Sequence, residues 1–179
     1  VLFRSMGKSD EAFARTPPRI YDTSLGWRFE NARLAARFPL QSMGETAENV
    51  AEKWTIGREE QDAFALASQQ KAARAVAEGA FDREIAPVSI PQKKGDPTIV
   101  RADESVRGDT TMEALAKLTP VFRKGGTVTA GNSSPLNDGA SGVLVMSEEA
   151  MKVHHVEPLA RVVASATSGV DPNLMGEGP

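Results

Sequence analysis

The sequence predicts an α/β fold with well-developed helices and a thinly represented sheet. Three observations carry this. From Arg58 to Glu78 alanine is abundant, and Ala63, Phe64, Ala67, Lys71 and Ala75 recur at helical spacing, which favours one long helix. Two short apolar runs, Val143–Met146 and the Val162-Val163 centre of Ala160–Thr167, read as buried strands. Between these regions lies Gly126–Gly142, a stretch of little bulk and many turn formers.

Taken in order, residues 1–40 read as largely irregular. Pro17-Pro18 breaks the start, and Tyr21–Phe29 mixes aromatic rings with turn formers, as in a loop that packs its rings on a neighbour. Asn31–Phe38 predicts a short helix with Leu34 and Phe38 on one face. Thr46–Trp54 predicts another, with Ala47, Val50, Ala51 and Trp54 on one stripe. Gly57 is an acceptable N-cap for the long helix, Glu59 and Glu60 suit its first turn, and Gly79 is a natural stop. The abundant alanines predict close packing of this helix on Thr46–Trp54.

Glu84–Ile90 and Thr98–Arg101 predict the two strands of an exposed hairpin, with Lys93-Lys94 at its tip. The tip reads as a solvated pair of charges or, alternatively, as a means of steering an anionic ligand. Thr110-Thr111-Met112-Glu113 predicts a capping box for a helix through Leu118, ended by Pro120. Ser147, followed by Glu148 and Glu149, predicts a cap for a helix reaching about His154. Gly169–Pro179 is loop chemistry throughout.

Composition narrows the function. A formal charge of −3 gives no reason to expect nucleic acid. No apolar run approaches the roughly 18 residues of a membrane span, and Val1–Ser5 has no cleavage-site pattern, so a cytoplasmic protein without membrane partners is expected. Cysteine is absent, which excludes disulfides, thiolate metal sites and a cysteine nucleophile within this chain. The two histidines, His154 and His155, are adjacent, and adjacent helical side chains do not face one another, so no two-histidine metal site is expected. Val1 is not methionine, and Pro179 follows Gly178 without a charged tail. Both ends are expected to be cut, and Val1–Ser5 is expected to be foreign to the native sequence.

Gly126–Gly142 admits two readings. Small residues there serve either turn geometry or the close approach of backbone to a ligand. A generic phosphate loop at Gly125–Gly131 fits poorly, because the spacing matches neither a P-loop nor a dinucleotide fingerprint.

The order and spacing of several segments carry a family resemblance. They are Ser42-Met43-Gly44-Glu45-Thr46-Ala47-Glu48-Asn49-Val50-Ala51, Arg58-Glu59-Glu60-Gln61-Asp62-Ala63-Phe64-Ala65, Ser68-Gln69, Glu84-Ile85-Ala86-Pro87-Val88, Asp103-Glu104 and Arg107, then Gly126–Gly142. Gly169-Val170-Asp171-Pro172 and Met175-Gly176-Glu177-Gly178-Pro179 complete the set. Over roughly residues 6–179 the chain resembles the middle of a thiolase, an acetyl-CoA C-acyltransferase or acetyl-CoA acetyltransferase. Tyr21–Phe29 looks more like the degradative branch, which implies a place in fatty acid β-oxidation.

The resemblance implies a two-half α/β fold with an inserted loop domain that binds coenzyme A. Residues 6–124 would be the first half, mainly that loop domain. Residues 125–150 would be the last strands of the first half, and 159–179 the start of the second. It implies Claisen-type cleavage or condensation of 3-oxoacyl-CoA by a cysteine that takes up the acyl group. A second cysteine, a histidine and an oxyanion hole with an Asn-Glu-Ala-Phe motif would assist. Neither that motif, nor Gly-His-Pro, nor any cysteine occurs here, so no catalytic residue is expected in this chain and it is expected to be inactive alone. The alternative is a non-catalytic coenzyme A-binding or interaction module related to thiolases.

By resemblance, Ser134 hydrogen-bonds the pantetheine arm, Ala130 leaves space beside it, Arg107 meets the nucleotide end and Met43 lines the acyl-pantetheine tunnel. Met175 and Gly176 match a loop near the reacting end. Each has a plainer reading: a turn serine, a solvated arginine, a core methionine. The chain departs from the family pattern at Ser133, Pro135, Ser141-Gly142 and Ala114, the last removing one contact near the nucleotide. Coenzyme A and acyl-CoA are implied as substrates with no permanently bound cofactor, and the parent is implied to be a homodimer or homotetramer.

Overall fold

The computed structural model describes residues 4–6, 20–22, 26–27, 29–137 and 139–179. Pro17-Pro18, Val1–Phe3, Asp138 and part of Tyr21–Phe29 lie outside the described residues. The chain divides into two compact units, residues 1–133 with 170–179, and residues 134–169.

In the first unit, Arg4–Met6 (β1) pairs antiparallel with Ile20–Asp22 (β2), so the first forty residues are not wholly irregular. Ala32–Ala35 (α1) is capped by Asn31, whose Oδ1 accepts from the amides of Arg33 and Leu34. Met43–Trp54 (α2) begins three residues earlier than expected. The cause is a capping box at Ser42, whose Oγ accepts from the Glu45 amide while Glu45 accepts from the Ser42 amide. Its buried face is Gly44, Thr46, Glu48 and Ala51; of the expected stripe only Ala51 is buried, Ala47 is exposed and Trp54 is 61% exposed.

Arg58–Ala77 (α3) forms as expected behind Gly57, and Gly79 follows it with φ +69°. Its buried residue is Asp62, whereas Phe64 is 80% exposed. The helix packs on Met112–Ala116 (α4), while α2 packs on the 3₁₀ turn Pro172–Glu177. The expected α2–α3 pairing is therefore absent: polar side chains on each helix reach the 125–132 segment instead. Thr111, not Thr110, caps α4, because its hydroxyl accepts from the Ala114 amide; the Thr110 hydroxyl donates to the Arg107 carbonyl. The 172–177 turn corrects the reading of the C-terminal stretch as loop alone. Asp171 caps it through the Asn173 amide.

Val88–Ile90 (β3) and Thr98–Val100 (β4) make the expected exposed hairpin, with Lys93-Lys94 exposed at its end.

The second unit contains Glu148–Val153 (α5), capped by Ser147. Lys152 and Arg161 both pair with Glu148, at 2.9 and 3.6 Å. Val143–Met146 and Ala160–Thr167 are not strands here, and neither is Thr127–Thr129 in the first unit. Val143, Leu144 and Val145 are 80–89% exposed, and Val162 and Val163 82–89%. A strand needs a neighbour for its amides and carbonyls, and the described residues supply none to these runs. Among the described residues the sheets are two separate two-stranded ribbons, as thin as the sequence predicts.

Candidate functional site

Residues 125–132 form a densely hydrogen-bonded loop in the first unit. Gly125, with φ +73°, turns the chain, and the Gly126 amide closes the turn on the Arg123 carbonyl at 3.0 Å. The next two amides both point at Glu48 of α2. Glu48 Oε1 accepts from the amides of Thr127 and Val128 at 2.9 and 2.8 Å. Oε2 accepts from the Thr127 amide at 3.0 Å and the Thr127 hydroxyl at 3.1 Å. A Cβ on Gly126 would overlap Glu48 Oε1 and come within 3.0 Å of the Arg123 carbonyl. Glycine is thus required here for close approach.

The other end of the loop is held from α3. Asn132 donates to Asp62 Oδ1 at 3.0 Å and to the Thr127 carbonyl at 3.1 Å, while its Oδ1 accepts from the Thr129 amide at 2.8 Å. Asp62 is 2% exposed and its Oδ2 meets Arg58 Nε at 2.7 Å. Arg58 in turn donates to the carbonyls of Leu115 and Leu118 at 2.6 and 3.0 Å, tying α4 into the same network. Gln61 donates to the Thr127 hydroxyl at 2.9 Å. A Cβ on Gly131 would lie 2.5 Å from methyls of Leu115 and Leu118. Thr129, at the centre of these bonds, is fully buried.

Glu48 is 3% exposed. Burial raises its carboxyl, but the hydrogen bonds from Val128 and Thr127, together with the Arg123 charge, outweigh it and hold the group below the ordinary carboxylate value. Arg123 pairs with Glu52 at 3.0 Å and donates to Asn49. An open groove of about 390 Å³ runs past Glu48, Ala51, Glu52, Arg123, Gly125 and Thr127.

The 172–177 turn is also fastened to α2. Asn49 donates to the Asn173 carbonyl at 2.9 Å, and Glu177 accepts from Lys53 at 2.9 Å and from the Trp54 indole at 2.6 Å. Met175 and Gly176 lie on this turn.

Of the sequence-predicted binding residues, Ala130 is exposed directly after buried Thr129. Arg107 is exposed; its amide donates to Gln69 of α3 at 2.8 Å, and its guanidinium has no hydrogen bond or ion pair among the described residues. Met43, the first residue of α2, is 69% exposed, so it is not a core methionine here. Ser134 is exposed and belongs to the second unit. No hydrogen bond joins any two of these four. The residues that organise the loop, Glu48, Asp62 and Asn132, were not singled out by the sequence reading. The Arg58–Asp62 spacing of four was the visible signal, because a charge pair at that spacing shares a helix face. Among the described residues no group of three His, Asp or Glu side chains could hold a metal, and no helix is long and apolar enough to cross a membrane.

Residues 28–149, which include α2, α3, α4 and the whole 125–132 loop, match the family described as "Thiolase, N-terminal domain". The chain belongs to the thiolase family. It is 50% identical over 174 residues to the beta-ketoadipyl-CoA thiolase of Acinetobacter baylyi, covering 97% of this chain and 43% of the relative. It is 56% identical over 137 residues to a probable acetyl-CoA acyltransferase of Staphylococcus aureus, covering 76% of this chain and 35% of the relative. Among solved structures, the acetyl-CoA acetyltransferase of Bacillus anthracis matches with a TM-score of 0.76 at 39% identity, covering 98% of this chain and 43% of that one. That of Syntrophomonas wolfei matches at 0.68 and 45% identity, covering 77% and 34%. The fold is thiolase-like, and this thiolase chain spans less than half the length of the relatives it matches.

Proposed function

We propose that the protein carrying this chain is an acyltransferase that cleaves 3-oxoacyl-CoA with coenzyme A to acyl-CoA and acetyl-CoA, or runs the reverse Claisen condensation. The observation that carries this is the 50% identity over 97% of the chain to a thiolase. The chain contributes coenzyme A binding. It has no cysteine to take up an acyl group, so by itself it turns over no substrate; thiolate chemistry belongs to other parts of the parent enzyme.

In this reading residues 6–124 are mainly the coenzyme A-binding loop domain, 125–150 close the N-terminal half and 159–179 begin the C-terminal half. Ser134 is the polar contact to the pantetheine arm, and Ala130 leaves room beside it. Arg107 meets the nucleotide end, where a guanidinium without a partner among the described residues suits phosphate or adenine. Met43 lines the tunnel. Coenzyme A and acyl-CoA are substrates and no resident cofactor is needed. The parent acts in the cytoplasm as a homodimer or homotetramer. Several relatives are named beta-ketoadipyl-CoA thiolases, so a 3-oxoacyl-CoA with a carboxylate-ended chain is the first substrate to try, beside the 3-oxoacyl-CoA intermediates of fatty acid β-oxidation.

The test is a thiolysis assay on the complete protein, following loss of a 3-oxoacyl-CoA. Turnover that depends on coenzyme A is expected. Binding of coenzyme A without any acyl transfer would support a non-catalytic module instead.

A further inference from the structure

We propose that Glu48 is a positioning residue: its carboxylate is a built-in anion that fixes the backbone of residues 126–129 and so sets the position of the Ala130–Asn132 turn for its ligand. The catalytic consequence rests on the coenzyme A reading of that turn.

Two consecutive amides, of Thr127 and Val128, converge on one carboxylate, with the Thr127 hydroxyl completing the set at 2.8–3.1 Å. Successive amides that point to one spot form a concavity for an anion, and here the anion is supplied by α2, 79 residues away in sequence. The fit is close on the side of the loop backbone. Gly126 leaves no space for a side chain because the carboxylate occupies it. Glu48 is 3% exposed, so water does not replace these bonds readily. Without the carboxylate the two amides lose their partner beside the open groove that borders Glu48, while Gln61 on the Thr127 hydroxyl, Asn132 on the Thr127 carbonyl and the Val121 amide on the Val128 carbonyl keep the segment from unravelling. The Asp62–Asn132 bond holds the far end, and none of the remaining bonds reaches the Thr127 or Val128 amide. Removing Glu48 therefore misplaces the loop without abolishing it, and that is expected to weaken ligand binding more than it slows the chemistry.

The groove also makes the role testable by chemical means, since a small carboxylate can enter where the side chain has been shortened. In the complete enzyme, Glu48→Ala is expected to raise KM for coenzyme A about tenfold, with kcat changed less than about threefold. Sodium formate is expected to restore KM and to raise the Tm of Glu48→Ala while leaving the wild type unchanged. Sodium chloride is expected to do neither. Glu48→Gln, which keeps the shape and one acceptor oxygen, is expected to fall between the two without responding to formate. It provides the kinetic test if the alanine variant does not fold. Unchanged KM in Glu48→Gln and Glu48→Ala overturns the proposal, as does a Glu48→Ala defect confined to Tm and deaf to formate. A wild-type enzyme without coenzyme A-dependent turnover sinks the acyl-transfer reading, while the formate-dependent Tm of Glu48→Ala still decides whether the amides form an anion cradle.

Discussion

The Asn132 amide donates to Asp62 Oδ1 across 3.0 Å, which joins a loop of small residues to a helix 70 positions earlier in the chain. Asp62 is held in turn by Arg58 at 2.7 Å, and Arg58 reaches the last carbonyls of the α4 region. One buried carboxylate thus links α3, α4 and the loop. Removing one partner of a buried pair costs more than the pair contributes, because the remaining group is left without compensation. Asp62→Ala takes from Arg58 its carboxylate and from Asn132 one acceptor, leaving the guanidinium only the carbonyls of Leu115 and Leu118, and is expected to destabilise the complete protein by about 3 kcal/mol. Asp62→Asn preserves the shape and one acceptor and is expected to cost about half as much. Denaturant titration of both variants measures the difference, and equal losses would argue against a role for the charge.

Gly126 and Gly139 separate close approach from mere flexibility. A Cβ at Gly126 overlaps the Glu48 carboxylate, whereas nothing lies within 4 Å of one at Gly139. Gly126 is not among the described glycines with positive φ, so backbone strain does not enter its cost. Gly126→Ala is expected to cost about 1–3 kcal/mol by forcing Glu48 away from its donors. Gly139→Ala is expected to be neutral within about 0.5 kcal/mol. Melting curves of the two variants, measured side by side, check this.

Acid stability follows from the same carboxylate. Glu48 sits below its ordinary value of 4.5 in the folded protein because its hydrogen bonds and Arg123 outweigh the burial that would raise it. A depressed folded value means that the unfolded chain binds the proton more readily. The contribution is therefore fully present above the unfolded value and is lost as pH falls through the lower, folded one. The groups facing Glu48 are Thr127 and Val128 of the loop and Arg123, itself paired with Glu52. Glu177, depressed by its bonds to Lys53 and Trp54, adds in the same direction. Unfolding free energy measured from neutral pH down into this acid range is expected to fall less steeply in Glu48→Gln than in the wild type. Parallel curves would remove Glu48 as a contributor.

Helices were legible in the sequence because their signals are local. The Gly57 start and Gly79 stop of α3, and the Ser147 cap of α5, depend on residues within one or two turns. The sheet was not, because a strand is completed by partners that may be far away or absent: Val143–Val145 has strand composition and no ladder. The loop's small residues were visible, but its anchors were not. Glu48 and Asp62 look like ordinary surface charges until the fold places donors around them, and charged residues are seldom this buried without a partner. Phe64 and Trp54 illustrate the converse, apolar side chains at helical spacing that stay 80% and 61% exposed.

Ser134 and Arg107 provide the test of binding itself, because neither has a packing role to lose. Both are exposed, and the Arg107 guanidinium has no hydrogen bond or ion pair among the described residues. Replacement by alanine at an exposed site away from caps and cores changes stability by less than about 0.5 kcal/mol, so any kinetic effect reports on the ligand. On the pantetheine contact proposed for it, worth one neutral hydrogen bond, Ser134→Ala is expected to raise KM for coenzyme A about fivefold with kcat preserved. Arg107→Ala is expected to raise it as much at low salt, with the difference from wild type shrinking as salt increases, because screening weakens an exposed attraction to phosphate. Steady-state kinetics of the complete enzyme at two ionic strengths distinguish the two. A serine variant with both KM and kcat unchanged would remove Ser134 from the binding surface, and a salt-independent arginine effect would point to stacking on adenine rather than phosphate pairing.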